Sequence, residues 1–288
     1  MDFVVVPCWH RPEMLWYCLR SLARTPEAKM HQVRVLVSID RRQGEQSNPE
    51  IERVIREYDA TLNPLVRYNP PHRYLGNSSN VLLAYKQAYE AKPEFIFLVE
   101  EDIIVGEDFF RWHYAVQKQG DWMCSIAVKN RRQPHLLSAD PAAYMTTKSD
   151  YQSWGVCWRR ERLAPVLEHC RPEYFRDLAG YLARGFAGSR MAKEFTEQDG
   201  MIQRVLAEQN GTTAWPYLPR AFHCGFYGYN RSQQHAVRGS LKQRIERLGY
   251  YLDEAPEKMA ALSQFPDVEP CYLGPLEYGE LHCLEELP

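Results

Sequence analysis

The chain lacks the short motifs that most often identify a nucleotide-binding or hydrolytic fold. No G-x-G-x-x-G follows the first apolar run and no G-x-x-x-x-G-K-[ST] occurs, which removes the dinucleotide fingerprint and the P-loop NTPases. G-x-S-x-G and H-E-x-x-H are also absent, so neither a serine hydrolase elbow nor a zinc peptidase helix is supported. Any phosphate that binds here must be held by something other than a glycine loop.

The eight cysteines are scattered, and no two of them form a C-x-x-C pair. Zinc ribbons and thioredoxin-type redox motifs are therefore unsupported, and cysteines within apolar stretches are expected to be reduced core residues. No apolar run approaches the length of a membrane span, and the first strand follows Met1 almost at once, which leaves no room for a signal peptide. These absences favour a cytoplasmic protein without a membrane span. The net charge of −2 gives no global reason to expect a polyanionic partner.

What is present is an alternation of apolar and amphipathic segments in the first half. Four short apolar runs have the length of buried strands: residues 3–7, 33–39, 65–68 and 95–99. The segment after the first run carries apolar residues at helical spacing: Leu15, Cys18, Leu19 and Leu22. This order predicts an α/β protein with a Rossmann-like, mostly parallel central sheet that is flanked by helices and connected by right-handed crossovers.

Three consecutive carboxylates, Glu100, Glu101 and Asp102, end the apolar run that begins at Phe95. Like charges so close together repel, and packing does not require them. A hard divalent ion such as Mg²⁺ or Mn²⁺ would relieve the repulsion and would keep other positions for water and phosphate. Ligands of open α/β sheets also bind where parallel strands end. The triplet therefore predicts a metal–diphosphate site, and a solvated turn before a helix near Asp108 is the alternative.

Four short motifs, in this order, resemble those of GT-A fold, nucleotide-sugar-dependent glycosyltransferases. They are V-P-C-W-H-R-P at 6–12, S-I-D at 38–40, G-N-S-S-N at 76–80 and L-V-E-E-D at 98–102. The likeness is to the N-acetylglucosaminyltransferase I type and to GT2-like enzymes, and it extends from about residue 3 to about residue 230. It implies a GT-A domain over 1–230, with a nucleotide-binding half at 1–105 and an acceptor half at 106–230. Residues 231–288, basic and then acidic, would form a C-terminal extension or lid.

The resemblance also implies a donor site for a nucleoside diphosphate sugar, expected to be a UDP-sugar. Asp102 would bind the metal, joined in some relatives by a late histidine that corresponds to His223. Asp40 would contact the nucleoside, and Glu100 would lie near the ribose or the sugar. The other expected donor-binding residues are Pro7, Cys8, Arg11, Asn80, Glu101, Trp154 and Gly155.

An acidic pair at a helix start supplies the catalytic base in that family, and Glu197-Gln198-Asp199 occupies this place. Gln198 separates the two acids, so the choice stays open between Asp199, which we assign as the base, and Glu197. A base that takes the proton of an acceptor hydroxyl, on the face opposite the diphosphate, implies inversion at the anomeric carbon.

Each of these residues also has an ordinary structural explanation. Asp40 and Asn80 could cap a turn or begin a helix, and Asp199 could be an acid favoured by the dipole of a helix N-terminus. Arg11 could be a surface charge, Trp154 a core aromatic ring and His223 a structural histidine.

Two acceptors stay open: a hydroxyl of a saccharide or glycoconjugate, and a 5-hydroxymethylpyrimidine in phage-type DNA. Basic side chains at 129–132 and in the segment 231–247 could neutralise DNA phosphates. The slightly negative net charge and the acidic segment after Asp253 argue against DNA. A different class of protein is a non-catalytic sugar-nucleotide or carbohydrate-binding module on a decayed transferase fold. The complete acidic triplet, together with Asp40 and Asp199, argues against this alternative.

Overall fold

The computed structural model describes residues 1–9, 11–41, 48–69, 76–128, 140–177, 180–181, 184, 198–223 and 279–287. Strands and helices alternate in the first half, as the sequence predicts. The strands are β1 (Asp2–Cys8), β2 (Val33–Ile39), β3 (Leu65–Tyr68) and β4 (Phe95–Leu98). The helices between them are α1 (Pro12–Arg24), α2 (Pro26–Lys29), α3 (Pro49–Glu57), α4 (Asp59–Leu62) and α5 (Gly76–Glu90).

The second half is less regular and richer in strands. Its helices are α6 (Phe109–Gln119), α7 (Arg160–Leu167), α8 (Pro172–Arg176) and α9 (Gln198–Glu208). Its strands are β5 (Ile103–Val105), β6 (Cys124–Ile126), β7 (Ala143–Lys148), β8 (Val156–Arg159), β9 (Thr212–Pro216), β10 (Ala221–His223) and β11 (His282–Leu287).

Nine strands form one sheet in the order β11-β7-β9-β6-β8-β4-β1-β2-β3, and β10 pairs with β5 in a separate two-stranded sheet. The four strands of the first half are mutually parallel. Antiparallel pairs occur where β8 joins β4 and β6 and where β7 joins β9. The expected α/β fold with a mostly parallel central sheet is therefore confirmed, and the carboxyl ends of β1, β2 and β4 lie at one edge of the sheet.

Both faces of the sheet are covered, because alternate residues of one strand enter two different cores. In β1, Phe3 and Val5 pack in one apolar cluster, whereas Val4 and Val6 pack in the other. A strand that is buried on both faces reads as a continuous apolar run, which is the pattern of residues 3–6.

Local sequence signals position the helices around the sheet. Pro12 is in the first turn of α1, where a missing N–H costs nothing and the ring already sets the helical φ. The apolar residues predicted for its inner stripe, Leu15, Cys18, Leu19 and Leu22, are all fully buried. Asn48 caps α3, since its side chain accepts a hydrogen bond of 3.0 Å from the backbone N–H of Glu50.

The end of the chain adds a strand to the sheet. Strand β11 pairs in parallel with β7 at the sheet edge. The segment 224–278, which includes most of the expected extension, lies outside the described residues, so the boundary at 230 stays a prediction. Among the residues that the structure describes, no helix combines the length and the apolar character that a membrane span requires.

Candidate active site

Sheet register brings several predicted residues to one place. Val5 on β1 lies opposite Leu98, the last residue of β4. Strand β1 continues for three more residues, to Cys8. The loop after β1 therefore lies beside the acids that follow β4. Because β8 runs antiparallel to β4 with Val156 opposite Leu98, the residues just before Val156 also lie there. On β10, His223 is the partner of Ile103 and is therefore next to Asp102.

Arg11 joins the second and third acids of the triplet. Its Nε donates to Oε1 of Glu101 at 2.7 Å, and its Nη1 donates to Oδ2 of Asp102 at 2.8 Å. Glu101 also accepts the backbone N–H of Trp9 at 3.0 Å. Burial alone would raise the pKa of Asp102, but the charges of Arg11 and His223 outweigh burial and hold that pKa below its ordinary value. Asp102 is therefore a carboxylate at neutral pH.

Glu100 has different hydrogen-bond partners from Glu101 and Asp102. Its carboxyl group accepts hydrogen bonds from Nδ2 of Asn77 at 3.1 Å and from Oγ of Ser153 at 2.9 Å. Burial, and then the charges of Asp102 and Asp199, raise the pKa of Glu100 to about 8.

Asp199 lies in the first turn of α9, half-buried, and shares Ser153 with Glu100. The Ser153 hydroxyl is 3.3 Å from Oδ2 of Asp199, and Nε2 of Gln198 is 3.4 Å from Oδ1. One hydroxyl has one proton to donate. The Ser153 hydroxyl therefore donates to one of the two carboxyl groups at a time, to Glu100 at 2.9 Å or to Asp199 at 3.3 Å.

The start of α9 is fixed to the start of α5. The backbone N–H of Gln198 donates to Oγ of Ser78 at 3.0 Å, and the Ser78 hydroxyl is 3.0 Å from Oε1 of Gln198. Both residues are buried. This reciprocal contact positions Asp199 relative to the sheet edge. Glu197, the second choice for the base, lies outside the described residues.

His223 and Trp154 form the wall beside Asp102. Their rings are stacked, with centroids 4.6 Å apart and planes inclined by 13°. Nε2 of His223 is 3.5 Å from Oδ2 of Asp102, and its Nδ1 is buried without a hydrogen-bond partner among the described residues. Trp154 is half-buried and is therefore neither a fully buried core ring nor a free surface group.

Asp102 and His223 together fit part of a metal site. Carboxylate oxygen and imidazole nitrogen are both common ligands, and neighbouring ligands of an octahedral ion with bonds of about 2.1 Å lie roughly 3 Å apart. Among the described residues, no group of three or more His, Cys, Asp or Glu side chains is arranged to hold a metal ion. An ion here would thus depend on phosphate and water for its other ligands, as Mg²⁺ often does.

Asp40 follows β2, and its backbone N–H donates to the carbonyl of Cys8 at 2.9 Å. Its Oδ1 is 3.5 Å from Nδ2 of Asn69, which lies just beyond the end of β3. Asn69 is fully buried, and its Oδ1 has no hydrogen-bond partner among the described residues. Asp40 and Asn69 are therefore a pair of polar groups at the ends of adjacent strands.

Asn80 and Cys8 have structural roles that account for their burial. The amide of Asn80 donates to the carbonyls of Cys8 and Ser38 at 3.3 and 2.9 Å, and its Oδ1 accepts from Ser38 and Asn69 at 2.6 and 2.8 Å. Asn80 thus joins the ends of β1, β2 and β3, so the expected donor contact of its amide competes with these bonds. The Cys8 thiol is in the core, which leaves its backbone for any contact with a nucleoside. Pro7 is buried in β1.

Gly155 is required by the backbone at the entry to β8. Its φ is +72°, a region that residues with a side chain rarely adopt. A Cβ there would lie 2.9 Å from Cβ of Ala127 and 3.0 Å from Cε2 of Phe109. This packing explains the glycine without a ligand, and its expected role at the donor sugar stays a prediction.

Sequence reasoning missed four polar residues at this site: Asn69, Asn77, Ser153 and Gln198. Asn77 lies inside the G-N-S-S-N motif, and Gln198 between the two candidate bases, so both had a positional signal. Ser153 precedes Trp154 with no pattern of its own. Only the antiparallel register of β8 on β4 brings it to Glu100.

The site and fold define an α/β protein with clustered carboxylates at the ends of parallel strands, the arrangement expected of a GT-A transferase. The profile of the family described as Glycosyltransferase like family 2 matches residues 3–164, more than half of the 288-residue chain. The chain belongs to this family and is a glycosyltransferase. No curated protein sequence matches it.

Solved structures of S. aureus TarS resemble the fold. TarS 1–349 has a TM-score of 0.50 at 14% identity, over 95% of this chain and 82% of that chain. TarS 1–349 in complex with UDP-GlcNAc also gives 0.50 and 14%, over 95% of this chain and 83% of that one. A longer TarS structure gives 0.49 and 14%, over 95% of this chain and 50% of that one. At 14% identity, the likeness to the two TarS 1–349 structures shows the fold alone.

Proposed function

We propose that this glycosyltransferase moves a sugar from a UDP-sugar to an acceptor hydroxyl with inversion of the anomeric carbon. The observation that carries the proposal is the division of carboxylates at one sheet edge. Asp102 pairs with Arg11 and lies beside His223, whereas Asp199 shares the Ser153 hydroxyl with Glu100. Asp102 would bind the metal that stabilises the leaving diphosphate, and Asp199 would accept the proton of the incoming hydroxyl. The UDP-GlcNAc complex of TarS, a protein of the same fold, supports the choice of donor.

Asp102 and His223 would hold Mn²⁺ or Mg²⁺, which supplies Lewis-acid stabilisation of charge on the diphosphate. Arg11 is close enough to add a charge-assisted contact to a phosphate oxygen. Asp40, with Asn69, would contact the nucleoside at the end of β2. Trp154 would contribute a ring face toward the sugar.

Asp199 would take the proton of the acceptor hydroxyl. A general base within hydrogen-bond reach typically accelerates such a step by about 10²- to 10⁴-fold. The hydrogen bonds from Gln198 and Ser153 hold both carboxylate oxygens in place. A base that acts on the face opposite the leaving diphosphate would invert the anomeric carbon.

The acceptor hydroxyl belongs to a saccharide or to a 5-hydroxymethylpyrimidine in DNA. The basic segments that favoured DNA, 129–132 and 231–247, lie outside the described residues. Incubating the enzyme and donor with an oligosaccharide panel and with hydroxymethylated duplex DNA in parallel separates the two acceptors. The cytoplasmic location expected from the sequence stays a prediction.

Thermal unfolding with UDP-sugars, with and without Mn²⁺, tests the donor site. A ligand at 100 times its Kd stabilises a protein by about 2.7 kcal/mol. We expect a rise in Tm with a UDP-sugar that is larger with Mn²⁺, together with slow release of UDP by hydrolysis. No shift with any nucleotide sugar would refute the proposal, and binding without turnover against a broad acceptor panel would indicate a non-catalytic module.

Ser153→Ala is expected to lower kcat about 10-fold while leaving the Kd for UDP unchanged. The substitution removes the hydroxyl that Asp199 and Glu100 share, whereas Arg11 keeps its contacts with Glu101 and Asp102. Steady-state kinetics and calorimetric titration with UDP measure the two effects. Ser153→Thr keeps the hydroxyl and should retain most of the rate. A larger loss of UDP affinity than of kcat would place Ser153 at the donor instead.

A further inference from the structure

The candidate site contains a cation of its own, the guanidinium of Arg11. It bridges Glu101 and Asp102 through two different nitrogens, at 2.7 and 2.8 Å. The two carboxylates are 7% and 9% exposed, and the Arg11 side chain is 19% exposed. Two neighbouring carboxylates with so little water need a positive partner. Arg11 supplies it, although the two acids lie 90 and 91 residues away in sequence.

The same oxygen of Asp102 faces both Arg11 and the candidate metal position. Oδ2 receives Nη1 of Arg11 at 2.8 Å and lies 3.5 Å from Nε2 of His223. A divalent ion bound to Oδ2 and Nε2 would sit close to the guanidinium, and the two positive charges would repel strongly in this poorly hydrated place. Arg11 and a divalent ion therefore compete for Asp102.

The diphosphate of a donor changes the balance of this competition. It brings negative charge and oxygen acceptors into the space in front of Asp102, and arginine binds phosphate oxygens well through its planar fork of donors. Arg11 can then leave Asp102 without losing an anionic partner. Its second contact, to Glu101, anchors the side chain near the same place.

We propose that Arg11 is a built-in counter-cation that keeps divalent metal from Asp102 until a nucleoside diphosphate arrives. The guanidinium then turns from Asp102 toward the diphosphate, and the ion takes its place. Metal and nucleotide consequently bind with positive coupling, and the free enzyme has a weak metal site. This inference rests on the proposed function, because it takes Asp102 to be the metal ligand.

Arg11→Gln tests the inference through two affinities that should change in opposite directions. Mn²⁺ binding to the nucleotide-free protein, measured by the loss of the free-ion electron paramagnetic resonance signal, should become at least about 10-fold tighter, because the competing charge is gone. The Kd for UDP at saturating Mn²⁺, measured by calorimetry, should become at least about 10-fold weaker, because the diphosphate loses a partner. A merely structural role would weaken both affinities.

Arg24→Gln is the matched control, since Arg24 pairs with Glu107 at 3.1 Å in a more exposed position. It should leave both affinities unchanged. Unchanged or weaker Mn²⁺ binding in Arg11→Gln, or unchanged UDP binding, would overturn the inference. If wild-type protein showed no Mn²⁺-dependent binding of UDP at all, the proposed function itself would fail, which is a separate result.

Wild-type protein provides a second measurement that does not depend on folding of the variant. The affinity for Mn²⁺ should be at least about 10-fold higher in the presence of saturating UDP than in its absence. With Mg²⁺ and UDP, the Arg11 Nε–H resonance should shift, whereas Mg²⁺ alone should leave it unchanged. Equal Mn²⁺ affinity with and without UDP would contradict the proposed competition.

Discussion

Asp199→Asn is expected to reduce the rate of sugar transfer by about 10²- to 10⁴-fold and to leave the Kd for UDP unchanged. The amide has almost the shape of the carboxylate and keeps a hydrogen bond to Ser153, but it cannot take a proton from an acceptor hydroxyl. Transfer is followed with radiolabelled donor under single-turnover conditions, and UDP binding is followed by calorimetry. Because the contacts of Arg11 with Glu101 and Asp102 do not involve Asp199, the donor site should be undisturbed.

Asp59→Asn is a suitable control for this experiment. Asp59 is an exposed acid in the first turn of α4, far from the sheet edge, so its substitution should alter neither rate nor affinity. If Asp199→Asn kept the full rate of sugar transfer, Asp199 would not be the base, and Glu197 would become the candidate. A loss of UDP binding in Asp199→Asn would instead assign the residue to the architecture of the donor site.

The parallel half of the fold follows from local signals that agree with each other. The runs at 3–7 and 95–99 are apolar throughout, and the run at 33–39 is interrupted only by Arg34 and Ser38. This pattern is typical of a sheet that is covered on both faces, and Pro12 marks the start of the helix after β1. The acids after residue 99 then had to lie at the carboxyl edge. For these reasons the sequence alone was sufficient to predict that these strands are parallel and that Glu100, Glu101 and Asp102 lie at the end of β4, whereas the order of the strands in the sheet comes from the structure.

The antiparallel half could not be predicted in the same way. Strands β5, β6 and β10 have three residues each, too few for a periodic signal to be distinguished from a loop. Their pairing is set by tertiary contacts, such as the backbone N–H of Gly106, which donates to the carbonyl of Arg220 at 2.8 Å. His223 could be proposed as a ligand by resemblance, but its position beside Asp102 depends on the register of β10 on β5.

Side-chain partners were the least accessible feature. The sequence identified Arg11 as a candidate for phosphate or nucleoside, and nothing local shows that its partners in the ligand-free protein are Glu101 and Asp102. The same holds for Asn80. Its position near the start of a helix gave no sign that its side chain forms hydrogen bonds at the ends of three strands. Partners that are separated by 42 to 91 residues are determined by sheet register, and a one-residue error in register would change them.

Asp102→Asn is expected to abolish the Mn²⁺-dependent part of the thermal shift with a UDP-sugar. Substituting even the groups behind metal ligands typically costs 10- to 100-fold in metal affinity, so loss of a charged ligand should cost at least about 100-fold. In the ligand-free protein Arg11 keeps Glu101 as its partner, so folding should survive with a modest loss of stability. Titration with Mn²⁺ in the presence of UDP, together with Tm measurements, checks both effects.

Glu107→Gln is the matched control for Asp102→Asn. Glu107 follows β5, also pairs with an arginine, Arg24, and is more exposed than Asp102. It should keep the full Mn²⁺-dependent shift. The pair of results separates the loss of a ligand from the general loss of a negative charge in the region. A normal Mn²⁺-dependent shift in Asp102→Asn would mean that other residues hold the ion. The assignment of Asp102 as metal ligand and Asp199 as base would then be wrong.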